Sequence, residues 1–479
     1  VGSNRHAATL AVALVSVLAC SPSTGATVSG GASGGASVGA PRHKDAGAPG
    51  IGDKDFPKDG NGGYDVAHYG LKIEYEPASK QLTGVATIQA TATQRLDTFN
   101  LDLSGLEVGD ILVDGNQATY SRSGSELTVV PSTPLADGAR FTVRVSYSGV
   151  PKPIKDPKNL GTFGFVPTAD GAFVACQPDG AKTWFPANDH PADKATFDFE
   201  ITVPKGVTAL ANGEMTRPAG TEGDKTTFYW REKHPMVTYL ATATMGKFSM
   251  RQGRTPGGIP IVAAVDPRFK SSLSKLYTVS GAVTDYWSKV FGPYPFSSTG
   301  GIVDDFAAGY ALENQTKPIY GGFAPDETIM AHELAHQWFG DSVSIERWKE
   351  LWLNEGFATY AEWLWSEHKG TNTADAIFKS FYERPSSNAM WKYPPGRAQP
   401  RDLFNESVYT RGGMTLHALR KTIGDETFFK LLKEWTSQHR YGNGTTAEFI
   451  ALAEKMSGKD LGALFDAWLF QPKKPAPLT

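Results

Sequence analysis

The stretch from His332 to Ala358 reads HELAHQWFGDSVSIERWKELWLNEGFA, and two parts of it bear on one ion. Histidines four residues apart on a helix share a face about one turn apart, so a nitrogen from each can reach a single metal at roughly 2.0–2.1 Å. The spacing predicts that helix over Thr328 to Phe339, with Pro325-Asp326 as its start signal and Gly340 as its stop. Glu333 is then displaced around the helix, beside the metal and not on it. On its own the motif also fits two surface histidines on a helix. What displaces that reading is Asn354-Glu355-Gly356-Phe357-Ala358, which opens a second predicted helix after a gap long enough for a loop and an antiparallel return. Glu355 supplies an anionic third ligand. His332, His336 and Glu355 leave the fourth tetrahedral position open, the arrangement of one catalytic Zn2+ and not of a closed structural site. Zinc so held lowers the pKa of its water towards about 7, and Glu333 can take the proton.

Around this segment the runs have helical spacing, as in Leu273 to Val290, Asn354 to His368 and Met414 to Ile423, and they predict a mainly helical domain over residues 256–475. Upstream, short alternating runs broken by Gly, Asp and Pro, such as His68 to Pro77, Gly84 to Ala92 and Arg140 to Ser148, predict an all-β domain over residues 61–255. The fold class is therefore multidomain α+β. Residues 21–60 are rich in Gly, Ser and Ala, with few large apolar side chains, and read as a flexible linker. Residues 1–20 have the layout of a secretory signal: Arg5 and His6 precede the apolar run Ala7 to Ala19. Val17-Leu18-Ala19-Cys20 resembles a bacterial lipoprotein cleavage box, so the expectation is an exported protein, anchored to a membrane if Cys20 is lipidated.

The 479 residues are 40% hydrophobic and 20% charged, which excludes wholesale disorder and a membrane bundle. A net charge of -3 gives no broad polyanion-binding surface, so nucleic acid is not expected as a partner. The two cysteines are Cys20 and Cys176, and with Cys20 cleaved away or lipidated no disulfide is expected.

With the His332 to Ala358 segment in hand, the chain from about Tyr64 to Pro472 resembles the aminopeptidase N family of gluzincin zinc metallopeptidases. The resemblance implies a saddle-like β domain followed by a thermolysin-like catalytic domain, and peptide substrates with a free N-terminus. The stretch Gly309-Tyr310-Ala311-Leu312-Glu313-Asn314 resembles the family's Gly-x-Met-Glu-Asn motif, with Leu312 in place of Met, a volume-conserving change. Together with Gly301-Ile302-Val303 it reads as an edge strand to which a peptide could add itself, Gly309 and Ala311 supplying main-chain contacts. By the resemblance Glu313 would bind the substrate's α-ammonium. Gln177, in the segment Gln177 to Pro191, aligns with a residue that lines the first substrate pocket and helps hold the amine. Tyr409, in Val408 to Gly413, would donate to the tetrahedral oxyanion, while Arg411 takes no catalytic role. Asn354 and Glu362 are the expected orienting partners of the metal ligands. The stretch Ala463 to Pro472 looks like the end of the family's catalytic domain, so the expectation is a short form without the helical domain that roofs many relatives, and a more open cleft. Two other readings stay open on the sequence: an endopeptidase with an open cleft, and a surface binding protein with a vestigial zinc site.

Overall fold

Alternation along the first long strand, Tyr64–Glu76, shows how the β part is built. Tyr69, Leu71, Ile73 and Tyr75 point inward and are buried, while a bulge between Val66 and His68 resets the parity so that Tyr64 and Val66 face the core as well. Tyr69 pairs in register with Phe197 of the parallel neighbour Lys194–Pro204, and the two rings stack with centroids 4.8 Å apart. These two strands and Gln81–Ala92 form the centre of an eight-stranded sheet, which Lys225–Val237 extends on one side and Arg140–Gly149 on the other. A separate five-stranded sheet carries Ala172–Ala175, the strand that leads directly to Gln177.

The computed structural model describes residues 45–477. The signal segment, Cys20 and the linker as far as residue 44 lie outside them. Residues 45–60, expected to continue the linker, are instead packed onto the β part. Gly47 donates its amide to the Thr98 carbonyl at 2.8 Å, Asp53 pairs with His190 at 3.2 Å, and Asp59 pairs with Lys182 at 3.1 Å. Composition misled here because the segment is held by main-chain hydrogen bonds and buried carboxylates, which do not need large apolar side chains.

The catalytic part begins earlier than residue 256. Ser249–Arg254 pairs with Pro260–Val265 across that boundary and opens a mixed five-stranded sheet that continues through Thr299–Asp304 and Ile319–Gly321 to Ala311–Leu312. Gly301-Ile302-Val303 is therefore internal, paired on both sides. The sheet edge is Ala311–Leu312, the strand immediately before Glu313. Against this sheet and one another pack α1 (Leu273–Val290), α2 (Glu327–Ala335), α3 (Trp352–His368), α4 (Ala374–Tyr382) and α5 (Gly412–Ile423). Helix α1 has the bounds its periodicity predicts. Among the described residues no helix is long and apolar enough to cross a membrane.

Candidate active site

Asp326 caps α2, its side chain accepting from the Ile329 amide at 2.9 Å. Regular helix ends at Ala335, four residues short of the predicted Phe339, because the chain tightens into turns and reverses at Gly340, whose φ of +133° disfavours any side chain. His336 keeps helical dihedrals as the C-cap, so the four-residue spacing still holds and the two imidazoles lie 4.9 Å apart between ring centroids. Helix α3 returns past them. Its first turn places one carboxylate oxygen of Glu355 3.3 Å from Nε2 of His332 and 3.3 Å from Nε2 of His336.

The electrostatics of this triad follow from burial and proximity. Burial acts to raise the Glu355 carboxyl, but the imidazoles of His336 and His332 outweigh it and hold the group down at about 2. Burial acts to lower His336, and Glu355 and Glu313 reverse that, pushing it up to about 9. A negative field that favours imidazolium also favours a divalent cation, and the donor atoms of His332, His336 and Glu355 all lie within 4.8 Å of one another. The three residues fit a zinc ion with an open fourth position.

The far nitrogens of both rings are engaged. His332 Nδ1 lies 2.7 Å from Glu362 and His336 Nδ1 lies 3.0 Å from the Phe339 carbonyl, so each ring is oriented with Nε2 towards the metal position. Glu362 thus hydrogen-bonds to a histidine of the triad. Asn354 does not. Its amide is buried against Gly340 with neither polar atom hydrogen-bonded, and His336 takes its partner from the backbone turn instead.

Glu333 lies beside the triad, forming a second group with Glu313 and His336 whose ligating atoms lie within 4.8 Å of one another. Burial pushes its carboxyl up to about 7, Glu313 and Glu355 adding to the effect while the two imidazoles oppose it. Glu313 is 2% exposed, and burial likewise raises it. Tyr239 donates its hydroxyl to Glu313 Oε1 at 3.0 Å, and Gln177 donates Nε2 to the same oxygen at 3.2 Å. Ala311 precedes Glu313 on the edge strand, and Gly309, with φ of +78°, sits in the loop before it.

Tyr409 lies close to the triad. It lies in a π-helical turn, Ser407–Arg411, ahead of α5, and its ring is nearly parallel to that of His332 with centroids 6.2 Å apart. Burial raises its hydroxyl well above the ordinary tyrosine range, with Glu355, Glu313 and Glu333 adding to it, so it stays a phenol. Among the described residues no hydrogen bond engages that hydroxyl. The turn is brought in by a close approach of two glycines: a Cβ on Gly356 of α3 would stand 2.9 Å from the Gly412 backbone. Arg411 points away, fully buried, and donates to the carbonyls of Trp391, Ala467, Trp468 and Gln471.

Two family models match the chain: the Peptidase M1 N-terminal domain over residues 66–240 and the Peptidase family M1 domain over residues 325–468. The second holds the triad, Glu333 and Tyr409. The chain belongs to peptidase family M1. Among M1 relatives it is similar to aminopeptidase N of Lactococcus lactis subsp. lactis, 30% identical over 85% of this chain and 51% of that protein. It is also 27% identical to a probable aminopeptidase 2 of Sulfurisphaera tokodaii, over 78% of this chain and 50% of that one. The chain spans about half the length of these curated relatives, or less for others. Its match to a solved M1 zinc metallopeptidase from Deinococcus radiodurans is more complete, with TM-score 0.82, 28% identity, and coverage of 90% of this chain and 98% of that one. A mutant of the Deinococcus radiodurans enzyme, seen with a Tyr-Ser-Ala substrate, matches with TM-score 0.80. The M1 family and these neighbours described as zinc metallopeptidases agree with the donor chemistry of the triad, and zinc is the cofactor.

Sequence reading missed three contributors. Tyr239 is held in a 3-10 turn at the end of a long strand, and nothing local marks it as facing Glu313. Gln337, next to a metal ligand, donates to the Glu313 carbonyl at 3.1 Å and fixes the backbone there. Lys194, from the β part, donates to the carbonyls of Asp341 and Ser342 and clamps the turn that follows α2. Lys194-Ala-Thr-Phe197 carries the same family resemblance as the Gln177 to Pro191 segment, but nothing in the sequence gives Lys194 this contact.

Proposed function

We propose that this M1 protein is a zinc-dependent aminopeptidase that removes residues from the N-termini of peptides. The observation that carries the reading is the buried Glu313 carboxylate next to Glu333 and His336. A substrate α-amine is largely an ammonium at neutral pH. Anchored at Glu313, it would set the first peptide bond beside Glu333, whereas an internal bond would leave that carboxylate buried without a counter-charge.

Zinc held by His332, His336 and Glu355 supplies Lewis acidity towards the scissile carbonyl and the attacking water. Glu333, raised towards neutrality, takes the water's proton and returns it to the leaving amine. Tyr409 keeps its proton and has a hydroxyl free to donate to the oxyanion. The edge strand Ala311–Leu312 offers main-chain groups to an extended peptide, with Gly309 leading into it.

Matched free and N-acetylated aminoacyl reporters test this, run against wild type, Glu313→Ala and Glu333→Gln. Acetylation should abolish cleavage by the wild type, and Glu313→Ala should lose the distinction. Cleavage of acetylated reporters by the wild type would favour the endopeptidase reading, and hydrolysis that survives Glu333→Gln would point to a vestigial site. Export rests on the sequence alone: we propose that residues 1–20 direct it and that Cys20 carries lipid, checked by radiolabelled palmitate incorporation that Cys20→Ser abolishes.

A further inference from the structure

We infer that the β part of the molecule takes part in amine recognition by holding the Glu313 carboxylate in place, with Tyr239 as the positioning residue. This rests on the reading of Glu313 as the amine anchor and extends it to a residue that neither the motif nor the metal chemistry requires.

Both side-chain donors to Glu313 converge on a single oxygen, Oε1: Tyr239 Oη at 3.0 Å and Gln177 Nε2 at 3.2 Å. Among the described residues no side chain donates to Oε2. A carboxylate fixed through one oxygen presents the other in a defined direction, and an ammonium needs that preorganised acceptor because both charges lose water on binding. Without the clamp the side chain would have to be ordered each time substrate arrives, which weakens binding and leaves the chemistry of the bound complex largely untouched.

Tyr239 is suited to this task by how it is held. It is 1% exposed, its ring packs against Trp348 with centroids 5.4 Å apart, and the neighbouring Thr238 hydroxyl donates to Asp189 at 2.7 Å. Burial, with Glu313 adding to it, keeps the phenol protonated, so the hydroxyl is a permanent donor. Among the described residues its hydroxyl makes no hydrogen bond other than the one to Glu313. Both Tyr239 and Gln177 come from the β part, and Glu313 follows the edge strand of the catalytic sheet. The reader of chain ends is thus assembled across the two parts, and a shift of one against the other would loosen the grip on the amine before it disturbed the metal.

The test uses the full-length zinc-loaded protein, a free aminoacyl anilide with its N-acetylated counterpart, and the variants Tyr239→Phe and Glu313→Ala. Phenylalanine keeps the ring against Trp348, so melting temperature and zinc content should match the wild type. KM for the free-amine anilide should rise about tenfold, the scale expected for losing a hydrogen bond to a charged group, with kcat little changed. Calorimetry of an amino acid amide binding to Glu333→Ala, with and without Tyr239→Phe, should show the same loss in affinity without turnover. If Tyr239→Phe melts early, calorimetry well below its melting temperature decides the matter, because Gln177, expected to touch the amine itself, cannot separate positioning from direct contact. An unchanged KM and affinity in these variants, or a fall in kcat alone, would overturn the inference. If Glu313→Ala itself keeps its preference for the free amine, the anchor reading fails, whereas loss of that preference with a wild-type KM in Tyr239→Phe sinks the positioning role alone.

Discussion

The two ends of the active site are built in different ways. At the metal end, His332, His336 and Glu355 hang from two neighbouring helices, and their mutual distances follow from helical spacing and one antiparallel return. At the end proposed to hold the amine, Glu313 follows a two-residue edge strand and is fixed by Tyr239 and Gln177, which lie 74 and 136 residues away in sequence. The first arrangement tolerates small movements between the two parts of the molecule. The second does not, because its two donors come from the other part. A hydrolase made this way can keep its chemistry while its selectivity for chain ends is tuned from another part of the molecule.

The strongest way to isolate the metal end is Glu333→Gln. It keeps the shape of the side chain and removes the proposed base, so peptide hydrolysis should fall about a thousandfold with zinc content unchanged, as read by single-turnover kinetics and metal analysis. Retention of substantial activity would break the division of labour drawn above. A smaller effect is expected from Glu362→Ala, which frees His332 Nδ1. Zinc affinity should drop roughly 10- to 100-fold in chelator competition, with preference for free amines intact. Unaltered affinity would remove Glu362 from the site.

Gly356→Ala probes the contact that brings Tyr409 in. A methyl 2.9 Å from the Gly412 backbone must push α3 and α5 apart, so urea unfolding should show a loss of about 1–3 kcal/mol, with kcat falling more than zinc affinity. The smallest effect concerns the β part that carries the amine-end donors. Burial, with Asp65 adding to it, pushes the Asp193 carboxyl from its ordinary 3.8 up to about 8. The folded state therefore holds a proton that the unfolded chain releases, and stability declines as pH climbs from about 4 to about 8. Asp193→Asn should flatten that decline in melting temperature measured across the same window, and an unchanged slope would assign it to other groups.

Much of this molecule was legible before its structure. Helix α1 has the bounds that its spacing predicts, the strand alternation of Tyr64–Glu76 marks a half-buried strand, and Glu362 meets His332 because helix periodicity carries it to the same side as Glu355. The failures share a cause. Residues 45–60 look like a tether because their composition is small and polar, yet main-chain bonds and the buried Asp53 and Asp59 fasten them. Gly301-Ile302-Val303 reads as an edge in the sequence because periodicity reports burial of faces and not which strands lie on either side. Asn354 sits beside a ligand in sequence, but its side chain packs against Gly340.

What the sequence determined by itself is the metal site and the acidic side chain beside it. A regular helix converts a spacing of one and four residues into fixed positions in space, so His332, Glu333 and His336 carry their geometry with them. What only the tertiary structure decided is how Glu313 is held, which oxygen it leaves open, and that Tyr239 belongs to the site. Those contacts join segments whose separation along the chain carries no periodic signal, and only the packing of the β part against the catalytic part brings them within hydrogen-bond distance.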